Sequence, residues 1–299
     1  MKLYSPWAYV NGDNPVVLNP RLDTLNGKTI GLFAHFKGHS PVMLQILSEL
    51  LAERFPDIKF KAIQLKRDTV EAFNLPSFDA ELKEWLVDVD AVISAYGDAG
   101  SCCMFHAYNT VYIEKLGKPA VMLCKYDLLK AGKKAAASRL CPNLRFVTSD
   151  IPDLTWVPEL DEKVREGIIR PGMRKILDEV VAALTSPLTE EEKTPFVKDN
   201  SMAEPFEVES LDGIHDLFYR KGWTTGLPIV PPTEEAVREM LRGTDLPPDT
   251  VVAELPPMMG QATVEKIAVN AVMAGCLPTH MPILIAAVKA ISQPIIRLE

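Results

Sequence analysis

Along residues 28–148 the apolar positions alternate between two patterns. Short, nearly unbroken apolar runs fall at 28–34, 58–65, 91–95, 120–124 and 144–148. Runs of this length bounded by turn residues predict strands buried on both faces. Between them, apolar residues recur at three- and four-residue spacing, as at Val42, Leu44, Ile46, Leu47, Leu50 and Leu51. That spacing predicts a helix with Ser40 as N-cap and Pro41 at its first position. Further helices are predicted over 79–87, 101–116 and 128–140, and a long one over 161–184 closes the unit.

Strand alternating with helix implies right-handed crossovers, so the predicted class is α/β, a doubly wound parallel sheet over residues 28–185. Residues 1–27 lack periodicity and predict an extended arm. Residues 186–204 are charged and proline-punctuated, the pattern of a linker. From 205 to 299 the pattern changes to helices at 211–221, 234–241, 262–274 and 282–291. Residues 223–233 are extended, because each residue before a proline is pushed out of the helical region, and 255–261 form a loop. A smaller, mostly helical domain is predicted. Without strand partners of its own it is expected to be incomplete, packing on the first domain or on another chain.

Composition narrows the function classes. Apolar content of 47% with 24% charged residues is that of a globular protein, and 299 residues suffice for two cores. A net charge of −8 with no basic run disfavours a nucleic-acid surface. No apolar stretch reaches membrane-spanning length, and the start lacks the apolar region of a signal peptide. Five scattered cysteines fit a reducing compartment, so a cytoplasmic location is expected.

The candidate chemistry lies in Tyr96-Gly97-Asp98-Ala99-Gly100-Ser101-Cys102-Cys103-Met104-Phe105-His106. This is the end of a predicted strand, a glycine turn and the start of a helix. In open parallel sheets such turns lie where ligands bind. A thiol at a helix N-terminus meets exposed N–H groups and the positive dipole end, both of which favour thiolate. Cys102 is the first candidate nucleophile and Cys103 the second. His106, four and three residues on, is a candidate base, and Asp98 a turn former or proton carrier. The first strand ends in a second polar loop with His35, Lys37 and His39. If the two strands are neighbours, these loops face each other, with Lys37 suited to a substrate carboxylate or phosphate. Gly100 and Ser101 complete the candidate binding set. In the second domain Glu265 is a candidate pocket residue, while the polar face of Thr263, Glu265, Lys266 and Asn270 is expected to be solvated. Cys141 and Cys276 are expected to be structural, and Cys124 to lie closer to the thiol pair. No dinucleotide fingerprint or phosphate loop occurs, and no CxxC or HExxH spacing. No cofactor and no metal are therefore expected.

Two further segments carry a resemblance. Gly97-Asp98-Ala99-Gly100-Ser101-Cys102 with Ile113-Glu114-Lys115-Leu116-Gly117-Lys118-Pro119-Ala120-Val121 resembles the UGSC family, named for selenocysteine (or cysteine)-Gly-Ser-Cys. Gly226-Leu227-Pro228-Ile229-Val230-Pro231-Pro232-Thr233 and residues 263–276 look like segments of longer proteins that carry this motif. The resemblance implies thiol or selenol chemistry. Ala99 stands at the position of the selenocysteine or cysteine, which removes the first member of a CxxC-like pair. Cys103 stands where threonine is expected, and Tyr108-Asn109 where a His-Asp pair is expected. Either the chemistry has changed, or Ala99 is a substitution that disables the enzyme. The longer relatives also imply a truncation, or a partner chain that completes the second domain.

Together these readings predict an enzyme, or catalytic subunit, that uses a cysteine thiolate on a small organic substrate, with C–S bond or reductive thiol chemistry favoured. The alternative is a non-catalytic ligand- or partner-binding subunit of a hetero-oligomeric enzyme. Homo- or hetero-oligomerisation is expected in both cases.

Overall fold

The computed structural model describes all residues except 11–14, 38, 66–75, 155–156, 158, 197–198, 256–258, 294–295 and 297–299. Two short strands, β1 (Lys2–Leu3) and β2 (Tyr9–Val10), open the chain. They belong to a compact unit made of residues 1–13 and 198–299, while residues 14–197 form the other unit.

The α/β unit runs β3 (Thr29–Ala34), α1 (His39–Arg54), β4 (Lys59–Gln64), α2 (Pro76–Leu86), β5 (Ala91–Gly97) and α3 (Gly100–Lys115). It continues β6 (Ala120–Lys125), α4 (Leu129–Ser138) and β7 (Arg145–Ser149). All five strands are parallel, in the order β4-β3-β5-β6-β7. β5 is buried at every position, which its apolar run requires of a central strand. β4 lies at an edge, and Lys59 and Lys61 along it discourage pairing with another chain. One face of the sheet packs against α1 and the closing helix, through Leu44, Leu47, Met173 and Val180. The other face carries Leu82 and Trp85 of α2, with Cys103 and Ala107 of α3 against Met122. The predicted long helix is α5 (Glu162–Val164), a π turn over Arg165–Ile169, and α6 (Arg170–Thr185).

One expectation is corrected here. Ser40 is not the N-cap of α1, because the helix already includes His39. The Ser40 hydroxyl instead donates to the Ala95 carbonyl and accepts the His35 N–H. The segment predicted as a linker is docked over its first half. A short helix, α7 (Glu190–Lys193), is closed by a Thr189–Glu192 capping box. Glu192 takes a bidentate Arg145 fork at 2.7 and 2.9 Å, and Arg145 also bonds the carbonyls of Ala183 and Ser186.

Residues 15–27 of the predicted extended arm are pinned to the α/β unit: Leu18 and Leu25 are buried, and this stretch is clamped by Glu114 at the end of α3. The buried carboxylate accepts four hydrogen bonds: from Asn19 N and Nδ2 at 2.8 Å each, and from Arg21 Nη1 and Ala120 N at 2.7 Å each. One group thus joins the arm, α3 and the start of β6.

The second unit holds helices α8 (Ile214–Arg220), α9 (Glu234–Leu241), α10 (Val264–Met273) and α11 (Met281–Ile291), close to their predicted spans. It also holds strands that sequence patterning missed. β8 (Phe206–Glu207) pairs with β1, and β9 (Val251–Leu255) and β10 (Gly260–Thr263) form a three-stranded antiparallel sheet with β2. Residues Gly260 and Gln261, expected in a loop, are thus strand. Leu3, Phe218, Val264, Ala268 and Met281 make its core.

Replacing Glu114 with Ala leaves Arg21 buried without its carboxylate, and is expected to destabilise the α/β unit by about 3–5 kcal/mol. Urea unfolding checks this, and a loss below about 1 kcal/mol, the worth of a surface pair, would show that the clamp is not structural.

Candidate functional site

β3 and β5 are neighbours, so the loops that leave their carboxyl ends emerge side by side. Here the strand order changes direction, with β4 on one side of β3 and β5 to β7 on the other. That is the topological switch point, where doubly wound sheets form a crevice.

Asp98 joins the two loops. Its carboxylate is almost fully buried, with Oδ1 2.8 Å from Lys37 Nζ and Oδ2 2.8 Å from His39 Nε2. The first loop is held from both sides, by Ser40 on the Ala95 carbonyl and by Gln64 Nε2 of β4 on the His35 carbonyl at 3.1 Å. His35 is 1% exposed, and its Nε2 has no hydrogen-bond partner among the described residues. Burial pushes its pKa down to about 4 against the pull of Asp98, so the ring is neutral at neutral pH.

α3 begins without a side-chain cap. Ala99 occupies the N-cap with extended backbone, whereas α9 and α10 are capped by Thr233 and Thr263. The first-turn N–H groups of Gly100, Ser101 and Cys102 therefore have no capping side chain, which favours an anion there. Cys102 is half-buried in this turn. Burial raises its thiol pKa above the ordinary value. Lys37 opposes the shift, Asp98 adds to it, and Ser101 and its own amide pull downward.

The other two expected catalytic residues of α3 face elsewhere. Cys103 is fully buried against Cys124 of β6, with Sγ 3.7 Å from the Leu128 carbonyl oxygen. A Cβ on Gly97 would stand 2.9 Å from that sulfur, so glycine is required where β5 ends. The hydrogen bond shared by the two thiols holds Cys103 below the ordinary thiol range against the effect of burial, and drives Cys124 far above it.

His106 faces β3 and β5 instead. Its ring stacks on Phe33 at 5.3 Å and meets the His35 ring edge-on at 5.6 Å. Nε2 lies 2.9 Å from Ser94 Oγ, which lies 2.8 Å from the Thr110 hydroxyl. Full burial holds its pKa well below the ordinary value. Among the described residues no hydrogen bond joins His106 to either thiol, which corrects the expected Cys–His pairing: α3 turns them to different faces.

The structure thus brings together Asp98, Lys37, His39 and His35 at the crevice, with Gly100, Ser101 and Cys102 on the helix turn beside Asp98. Glu265 lies in the other unit, half-buried in the first turn of α10 with its amide on the Pro248 carbonyl. Among the described residues no group of three His, Cys, Asp or Glu side chains is placed to hold a metal ion, and no helix is long and apolar enough to cross a membrane. Sequence reasoning missed Ser94, Thr110, Ser40 and Gln64. Ser94 carried a signal, as the one polar residue in the run 91–95.

A five-stranded parallel sheet with helices on both faces defines an α/β protein. Comparison with family models makes the class specific: the UGSC family matches residues 2–186, and the chain belongs to that family. The segments 226–233 and 263–276 fall outside the matched region. No curated protein and no solved structure matches the chain.

Because His35 titrates near 4 when folded and near 6.5 when unfolded, the unfolded chain takes up a proton below pH 6.5 that the folded chain does not. Stability is expected to fall as pH drops from 6.5 to 4, by up to ~3 kcal/mol from this residue. His106 acts in the same direction. Urea midpoints at several pH values should show this slope, and His35→Gln should reduce it; an unchanged slope would overturn the assignment.

Proposed function

We propose that this protein is an enzyme in which the Cys102 thiol attacks an electrophilic carbon or sulfur of a small organic substrate held at the switch point. One observation carries the reading. The partly exposed thiol of α3 stands at an uncapped helix start, beside a buried carboxylate paired with an ammonium and an imidazole.

Burial favours the protonated thiol at rest, so the nucleophile is made when substrate arrives. The proton passes to the Asp98–His39 pair, and the sulfur electron pair forms the new S–C or S–S bond. The displaced electron pair goes to the leaving atom or the carbonyl oxygen. Lys37 and the N–H groups of Gly100 and Ser101 stabilise the negative charge that develops. The second reading, a subunit that binds ligand or partner without catalysis, is favoured by Ala99, since an unreactive methyl occupies the N-cap where the family motif carries its first chalcogen. Assembly with a second copy or another chain fits both readings. Free thiols at all five cysteines suit a cytoplasmic location.

Iodoacetamide labelling with peptide mass spectrometry tests the thiol. Cys102 is expected to react faster than buried Cys103, Cys124 and Cys141, with an apparent pKa above that of free cysteine that rises further in Lys37→Met. A panel of organic disulfides and activated thioesters is expected to leave an adduct on Cys102, lost in Cys102→Ala with the urea midpoint retained. Reactivity at Cys102 no greater than at Cys141 would sink the enzymatic reading.

A further inference from the structure

The second unit contains a cavity of about 610 Å³ that the chemistry above does not use. Its size falls within the roughly 300–1,000 Å³ typical of sites for small organic ligands. The N-terminal segment supplies Pro6 and Ala8, the sheet Leu255 and Ala262, and α11 Leu284 and Val288. Lys266 and Asn270 line it from α10; both are expected on a solvated face, and Asn270 is exposed whereas Lys266 is buried.

Lys266 is 3% exposed, and its environment is unusual. Its Nζ donates to the carbonyls of Ser5 at 3.0 Å and Ala203 at 2.6 Å, and lies 4.8 Å from the centre of the Tyr9 ring. These are neutral partners. Among the described residues no carboxylate comes within ion-pair distance of it. The carboxylates of Glu265 and Glu204 act on it only from beyond that distance, so the buried ammonium has no contact counter-ion, and an anion brought beside it recovers part of its desolvation cost. The Asn270 amide is fixed by the carbonyls of Pro6 and Lys266, at 3.2 and 2.9 Å, which holds the N-terminal segment as a wall of the cavity. Burial also lowers the Lys266 pKa, which marks the same desolvation from another side.

We propose that this cavity binds an organic anion with an apolar body, such as an alkyl or aryl carboxylate, its charge compensating Lys266 and its hydrocarbon filling the apolar walls. The site lies wholly within the second unit and is independent of the Cys102 reading. Cys276 also lines the cavity and is partly exposed, so its alkylation rate reports occupancy.

The experiment follows Cys276 labelling by iodoacetamide in the intact chain, with sodium octanoate and 1-octanol as probes and the urea-unfolded chain as control. Octanoate is expected to protect Cys276 in the folded chain alone, with half-protection near about 1 mM and about tenfold better than octanol. Lys266→Met should erase the preference for the acid. Ala287→Phe, at an exposed helix position that lines the cavity, should weaken both probes by filling the space. If Lys266→Met does not fold, the octanoate-to-octanol ratio and Ala287→Phe still decide the matter. Equal protection by the two probes, or none by octanoate at about 10 mM, would overturn the proposal.

Discussion

A buried carboxylate is stable only when its charge is answered, and Asp98 is answered by the loop that leaves the neighbouring strand. Lys37 and His39 close on it from the end of β3, while Asp98 itself sits at the end of β5. Parallel pairing of β3 and β5 brings the loops together, and the desolvated charge then holds them there. The positions of Cys102, the helix start and the crevice all follow from that pairing. The alternation of buried strand and amphipathic helix thus acts on function through a single ion-paired junction.

Two influences compete at the thiols of α3, and burial decides between them. The helix dipole and its free N–H groups favour thiolate at Cys102, as does the nearby ammonium of Lys37. Desolvation opposes them and is the larger effect, with the negative charge of Asp98 on the same side. A position at a helix start therefore does not by itself give a low-pKa cysteine. At Cys103 the outcome differs because a second thiol supplies a hydrogen bond in the dry interior. Adjacent residues of one sequence motif meet different physics, since consecutive helix positions point about a hundred degrees apart.

The elements of the α/β unit were legible in the sequence because they rest on local periodicity, whereas the meeting of His35, Lys37 and His39 with Asp98 could be stated only on the condition that β3 and β5 are neighbours. What could not be read depends on distant partners. Ser40 has the spacing of a cap, yet its hydroxyl is claimed by Ala95, far along the chain. β1 and β2 are each two residues long and carry no pattern of their own. Their partners lie about 200 and 250 residues away, at β8 and β10 respectively. Lys266 reads as a surface lysine on an amphipathic helix, and only the covering N-terminal segment makes it a buried one. His106 has the spacing of a catalytic partner, but the serine in β5 and the ring of Phe33 claim it.

The interrupted composition of the second unit bears on how the protein is made. Its strands β1 and β2 precede the α/β unit in the chain, whereas β8, β9 and β10 emerge only after the whole α/β unit has been synthesised. Closing so long a loop adds little entropy beyond that of a moderate one, because the penalty grows only with the logarithm of length. The delay is kinetic. Residues 2–10 are made before the α/β unit and meet their sheet partners only after it, so through that interval the segment that covers Lys266 has no strand to pair with.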